Sequence, residues 1–173
     1  MAQKIDFSKL TLKDALDLAI LIEEEAKDRY ESFAKLVGGR YKGDADEVFK
    51  TMAGYEAKHG AELASRRAKL FGDQPRTVTR DLIEDVEAPD TGQPRVFMSP
   101  RQAFEVALRS EDKAYDYFDA ALKHVKDADV RKLFEELRAE EVQHQQYIRK
   151  ARCSLRLLQN RLPVNRLTQR YLF

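Results

Sequence analysis

The 173-residue sequence predicts an all-α protein: four long helices paired as two antiparallel hairpins, joined by a long crossover and ending in an extended C-terminal helix and tail. Three features predict it. Apolar residues recur at steps of three and four in four separate stretches, the period of a helix that buries one face. Glycine and proline fall between these stretches and divide the chain into two similar halves. No stretch alternates apolar and polar residues for long enough to suggest a strand.

Thr11, with Asp14 three residues on, opens the first helix, which runs to about Val37 and stops at Gly38 and Gly39. The second begins near Asp44 and reaches about Phe71, ending at Gly72. A linker of roughly 25 residues follows, long enough to need a structural reason, with a short helical turn expected around Arg80 to Val86. Ser99 and Pro100, with Gln102 completing a capping box, start the third helix, which reaches about Val125. Asp127 or Asp129 opens the fourth, which continues to about Asn160 before Pro163 closes it. Short loops make the helices within each half antiparallel neighbours, and the long linker crosses between the halves. Residues 1–160 are expected to form the bundle and 161–173 a basic tail.

Composition narrows the function. The length suits one domain with a sizeable core. A net charge of +1 gives no electrostatic footprint for nucleic acid. No run approaches the roughly 18 uninterrupted apolar residues of a membrane span. Met1 to Leu10 is mixed and polar, without a signal-peptide core, so a cytoplasmic location is expected. The single cysteine, Cys153, permits neither an internal disulfide nor a Cys-x-x-Cys metal module, and it reads as an ordinary helix residue.

The four apolar stripes carry the chemistry. The first reads Leu12, Leu16, Ala19, Glu23, Ala26, Tyr30, Phe33, Val37, and the third Phe104, Ala107, Glu111, Ala114, Phe118, Ala121, Val125. Each holds one carboxylate at a matching place. The second reads Phe49, Met52, Glu56, His59, Leu63, and the fourth Phe134, Leu137, Glu141, His144, Ile148, Ala151, Leu155. Each of these holds a Glu-x-x-His pair. Four carboxylates and two imidazoles therefore point into what would otherwise be core. Burying an uncompensated carboxylate costs several kcal/mol or forces it to take up a proton. Two divalent cations would balance four carboxylates. Glu and His three apart share a helical face, so both can reach one ion. One Glu from each of two helices plus a Glu-x-x-His from each of the others is the inward set of di-iron and di-manganese carboxylate bundles.

Glu-x-x-His alone is common on helices. Here, however, two of only three histidines fall in that motif on corresponding helices. The third, His124, reads as a solvated helix-end residue. Of the consecutive Glu23, Glu24 and Glu25, only Glu23 is on the stripe, and of Glu140 and Glu141 only Glu141 is. Glu62, three after His59, reads as surface. Tyr30, two turns after Glu23, is core filler whose hydroxyl could bond a ligand carboxylate from outside the coordination shell. Tyr55 and Tyr147 are weaker candidates of that kind.

Glu23 through Tyr30, Glu56 to His59, Glu111 through Phe118 and Glu141 to His144 together resemble the rubrerythrin branch of the ferritin-like superfamily, over roughly residues 11 to 155. The resemblance implies a ferritin-like four-helix bundle. It implies that Glu23 and Glu111 are terminal ligands, that Glu56 and Glu141 bridge two iron ions, and that His59 and His144 complete them. It also implies reaction of the reduced pair with hydrogen peroxide or dioxygen, and a homodimer. Rubrerythrins with a tetracysteine iron domain receive electrons through it. The single cysteine here leaves the expectation of an external electron donor. Rubrerythrins also carry a further glutamate one turn after the third-helix ligand, where this sequence has Ala114.

Carboxylate and imidazole donors suit iron(II) or manganese(II). Two such ions can clamp one small molecule between them. The expected function is an oxidoreductase, either peroxidase or ferroxidase. Iron storage or sequestration, a structural metal-binding bundle and a di-manganese catalase are the alternatives. After Glu141 no acidic residue follows, while Arg149, Lys150, Arg152, Arg156, Arg161, Arg166 and Arg170 are interleaved with leucines. That tail reads first as a docking segment on this or a partner subunit. A membrane-surface segment or an address for an encapsulin-type shell is the lesser reading.

Overall fold

The structure, a computed structural model, describes residues 5–39, 44–80, 83, 86, 88–90 and 97–161, with side chains described as far as Ser154. Residues 162–173, and with them the readings of the tail, lie outside the described residues.

Four helices follow in order: α1 (Leu12–Val37), α2 (Ala45–Phe71), α3 (Pro100–Leu122) and α4 (Ala128–Arg161). The expected stops and starts have physical causes. The Thr11 hydroxyl accepts from the Asp14 amide at 3.2 Å, satisfying one orphan donor of the first turn of α1. Gly38 and Gly72 end α1 and α2 at φ 57°, where a side chain would strain the backbone. Ser99 and Gln102 exchange side-chain and backbone bonds as a capping box, with Pro100 behind.

Two boundaries needed the structure. α3 stops at Leu122, short of Val125, because the Lys123 and His124 amides tighten onto the carbonyls of Ala120 and Ala121. Val125 still packs into the core. Asp127 rather than Asp129 opens α4: its Oδ1 accepts from the amides of Asp129 and Val130 at 2.9 and 3.0 Å. In the linker, i→i+3 bonds join Ile83 to Arg80 and Val86 to Ile83, where a helical turn was expected.

α1 packs along α2 and α3 along α4, while α2 lies against α3 to join the hairpins into one bundle. The crossover lies over α1. Val78 and Ile83 are buried in the α1 core cluster, and Arg76 and Arg80 pair with Glu24 and Asp28 on the outer face of α1. Farther on, Arg29 donates to the Pro89 carbonyl and Lys113 to that of Ala88. That cover explains why every residue of α1 from Ala15 to Glu23 is buried, not the stripe alone.

The core forms two apolar clusters with a polar layer between them. One contains Leu16, Leu63, Ala114, Phe118, Phe134 and Leu137. The other contains Tyr30, Phe49, Met52, Ala107 and Ile148. Along each helix the stripe passes from one cluster to the other, and the carboxylates and imidazoles sit at the crossing point. No described helix is long and apolar enough to cross a membrane.

Candidate metal centre

Each helix delivers one carboxylate to the polar layer. Glu56 and Glu111 are fully buried, Glu141 is 2% exposed and Glu23 4%. His144 is buried and His59 half-buried. The neighbours that blurred the register turn elsewhere. Arg76 grips both oxygens of Glu24 at 3.0 and 3.1 Å, and Arg29 holds Glu25 at 3.1 Å. His124 is exposed at the end of α3, and Glu62 is exposed on α2.

Two triads place one donor atom each within 4.8 Å of one another: Glu56, His59 and His144, and Glu111, Glu141 and His144. His144 belongs to both. Glu23 falls in neither triad, yet its charge acts on His144 from the same layer. The His59 and His144 rings stack with centroids 4.7 Å apart and planes 3° from parallel. The two Glu-x-x-His motifs therefore meet face to face across α2 and α4.

Glu111 is fixed from several directions. Its Oε1 accepts the Tyr30 hydroxyl at 3.2 Å and its Oε2 lies 2.8 Å from His144 Nδ1. Gln145 Nε2 reaches the Glu111 backbone carbonyl at 3.4 Å. Tyr30 thus touches a candidate ligand carboxylate, as its place two turns after Glu23 suggested. Gln145 had no signal in the sequence, because an amide beside a histidine on a helix is unremarked until α3 is packed against it.

The histidines are tuned in opposite directions. Burial pulls His144 down, but the hydrogen bond and charge of Glu111, reinforced by Glu23 and Glu140, outweigh it and raise its pKa above the usual histidine value. Burial, with the His144 charge next, lowers that of His59. A carboxylate only accepts, so the proton between His144 and Glu111 sits on Nδ1. A cation bound through that nitrogen would displace a proton.

A pH dependence follows. The pKa of His144 is raised in the folded metal-free protein, so its contribution to stability is present below the unfolded value and lost as pH rises through the folded one. Metal affinity has the opposite sign and falls as pH drops through the raised His144 value. Manganese(II) titrations at pH 6 and pH 8 should show weaker binding and greater proton release at the lower pH. Affinity independent of pH would remove His144 from the centre.

Beside His59 a cleft of about 140 Å³ opens between α2 and α4, lined also by Glu62, Arg66, Glu136 and Glu140. Burial, with Glu62 and Glu136 adding, raises the Glu140 carboxyl above its ordinary range against the pull of His144. Glu140 therefore borders the centre from this cleft rather than from the stripe.

An all-α bundle with buried carboxylates on all four helices and two stacked Glu-x-x-His imidazoles has the donor set of a ferritin-like di-metal protein. The chain belongs to the rubrerythrin family, whose sequence profile matches residues 14–152. It is thereby a member of the ferritin-like di-iron carboxylate family. No curated protein sequence matches it. A structure of an uncharacterized conserved protein from Magnetospirillum magnetotacticum is similar at 27% identity and TM-score 0.63, over 84% of this chain and 95% of that one. A dodecameric thioferritin from Bacteroides fragilis shares the fold at 19% identity and TM-score 0.59, over 88% and 90%. A ferritin-like, diiron-carboxylate protein from Bacillus anthracis does so at 20% and 0.50, over 81% and 94%.

Proposed function

We propose that Glu23, Glu56, His59, Glu111, Glu141 and His144 hold two iron ions, and that the protein is an oxidoreductase that reduces hydrogen peroxide or dioxygen with electrons from an external donor. The observation that supports this most is the pair of triads sharing His144, with their carboxylates buried inside the bundle. The donor chemistry fits. Carboxylate oxygens and imidazole nitrogens suit iron(II) and manganese(II), whereas thiolate-preferring ions would find no described sulfur ligand in this layer. When bound, two such ions would supply two electrons at one place to a small oxidant.

The chain's own residues do the rest. Glu56 and Glu141 come from facing helices and would hold the ions from α2 and α4, while Glu23 and Glu111 would hold them from α1 and α3. Tyr30 holds Glu111 in one orientation through its hydroxyl. Ala26 and Ala114, both fully buried, present small apolar surface one turn from Glu23 and Glu111. Ala114 stands where rubrerythrins have a further carboxylate, so this centre works with four glutamates.

Protein loaded anaerobically with iron(II) is expected to bind two ions per chain and to consume hydrogen peroxide catalytically when ascorbate is present. Two bound ions that stay reduced in peroxide and dioxygen would overturn the oxidoreductase reading and leave a structural metal bundle. Uptake of many more ions per chain would point instead to iron storage.

A further inference from the structure

An aromatic series leads from the metal centre to the surface. Tyr55, which immediately precedes Glu56 on α2, stacks on the His144 ring at 5.9 Å with planes 28° apart. Tyr147, one turn after His144 on α4, meets the Tyr55 ring edge-on at 5.2 Å and 75°. The two phenol groups lie close enough to interact. Tyr55 is half-buried, whereas Tyr147 is 43% exposed. Three rings from two helices thus bridge a candidate ligand and solvent without a gap wider than ring contact.

We infer that Tyr55 and Tyr147 form an electron relay that brings reducing equivalents from the surface to the metal pair. The inference rests on the proposed di-iron reading. Tyrosine is the side chain suited to this step, because its phenol gives up one electron and one proton together and recovers both. Hydrogen peroxide takes two electrons, and where the pair has only one iron(II) electron left to give, the second passes from Tyr55 through the His144 ring. The Tyr55 phenolic proton leaves to water. Tyr147 then transfers one electron and one proton to the Tyr55 radical and restores it. A one-electron outer-sphere reductant at the surface supplies an electron to Tyr147, and water returns the proton. The sum is one electron moved from reductant to peroxide at the centre, with no net change in either tyrosine. The route ends on an exposed ring, so a donor need not enter the buried layer.

Simple packing is the competing account, and the experiment separates them. Tyr55→Phe and Tyr147→Phe each keep the ring and most of its contacts but remove the phenol. The full chain is loaded with iron(II), mixed with hydrogen peroxide and freeze-quenched, and radicals are read by electron paramagnetic resonance with ring-deuterated tyrosine to identify them. Wild type is expected to show a tyrosyl signal that ascorbate discharges. Tyr55→Phe should abolish the signal and slow peroxide-dependent oxidation of ascorbate severalfold. Tyr147→Phe should keep the signal but prolong its life. Iron content should stay unchanged in both.

A tyrosyl signal and an ascorbate-oxidation rate unaffected by either substitution would overturn the relay while leaving the iron centre standing. Loss of the signal in Tyr30→Phe alone would also overturn it, by assigning the radical to the other side of the centre. A wild-type chain that binds no iron would overturn the metal reading, and the relay with it.

Discussion

Replacing His144 by alanine should remove at least one metal ion from the centre, and both where the triads depend on each other. His144 is the one residue common to both triads, and its Nδ1 also fixes Glu111 at 2.8 Å. Without it, each triad keeps only two donors, and Glu111 loses a hydrogen-bond partner in the buried polar layer. Losing a buried partner costs more than the bond itself, because the remaining group stays desolvated. The measurement is metal content by mass spectrometry after anaerobic iron(II) loading and desalting, with circular dichroism to verify that the helices persist. Glu56→Ala should lose one ion or both by the same logic. His124→Ala, which alters the exposed histidine at the end of α3, should keep the wild-type content. Full occupancy in both His144→Ala and Glu56→Ala would sink the assignment of these residues as ligands.

Much of this centre could be read before the chain was folded, because helical geometry converts sequence spacing into direction. Glu23, Glu56, Glu111, Glu141 and both histidines lie on stripes otherwise occupied by alanine, leucine and phenylalanine. Residues on one stripe share one face. The same rule separated Glu23 from Glu24 and Glu25, whose side chains meet Arg76 and Arg29 instead. Capping residues located the helix ends for the equally local reason that an orphan amide needs a nearby oxygen. Asp127 could not be chosen over Asp129 beforehand, since either could open the same helix, and the choice depends on how the α3–α4 turn closes.

What stayed hidden depends on pairing between distant elements. The stripe pattern shows that Tyr55 and Tyr147 flank the two Glu-x-x-His motifs, but not that their rings meet, because that requires the rotation of α2 against α4. The crossover gave no periodic signal at all. Its docking on α1 rests on polar contacts such as Thr77 with Asp14 and Arg80 with Asp28, each between residues more than 50 positions apart. Nor did periodicity mark Asp17 and Arg67, which lie off the stripes and look like ordinary surface charges.

In the structure those two residues form the anchor of the crossover, and breaking it should be among the costliest single changes outside the apolar clusters. Asp17 is fully buried and Arg67 is 8% exposed. Arg67 Nε binds Asp17 Oδ1 at 2.6 Å, while its two terminal nitrogens reach the carbonyls of Gly72 and Gln74 at 3.0 and 2.6 Å. One guanidinium therefore ties α1, α2 and the first residues of the crossover together. Arg67→Ala strands the Asp17 carboxylate with Lys13 as its remaining cation. Removing one partner of a buried pair typically costs about 3–5 kcal/mol. That is a large part of the ~5–15 kcal/mol by which a domain is stable. Chemical denaturation should show a loss of that order, with Asp17→Leu combined with Arg67→Met recovering most of it, since neither charge is then left alone. Acid should act on the same anchor. Burial raises the Asp17 carboxyl, but Arg67 and Lys13 more than offset this and hold it below the ordinary aspartate value of 3.8. A lowered folded pKa gives stability that is present above the unfolded value and lost as pH falls through the folded one. Wild type should therefore lose stability on acidification below pH 3.8, and the double variant should lose less over the same range. A single variant Arg67→Ala within about 0.5 kcal/mol of wild type, the range of an ordinary surface change, would show that the anchor holds nothing.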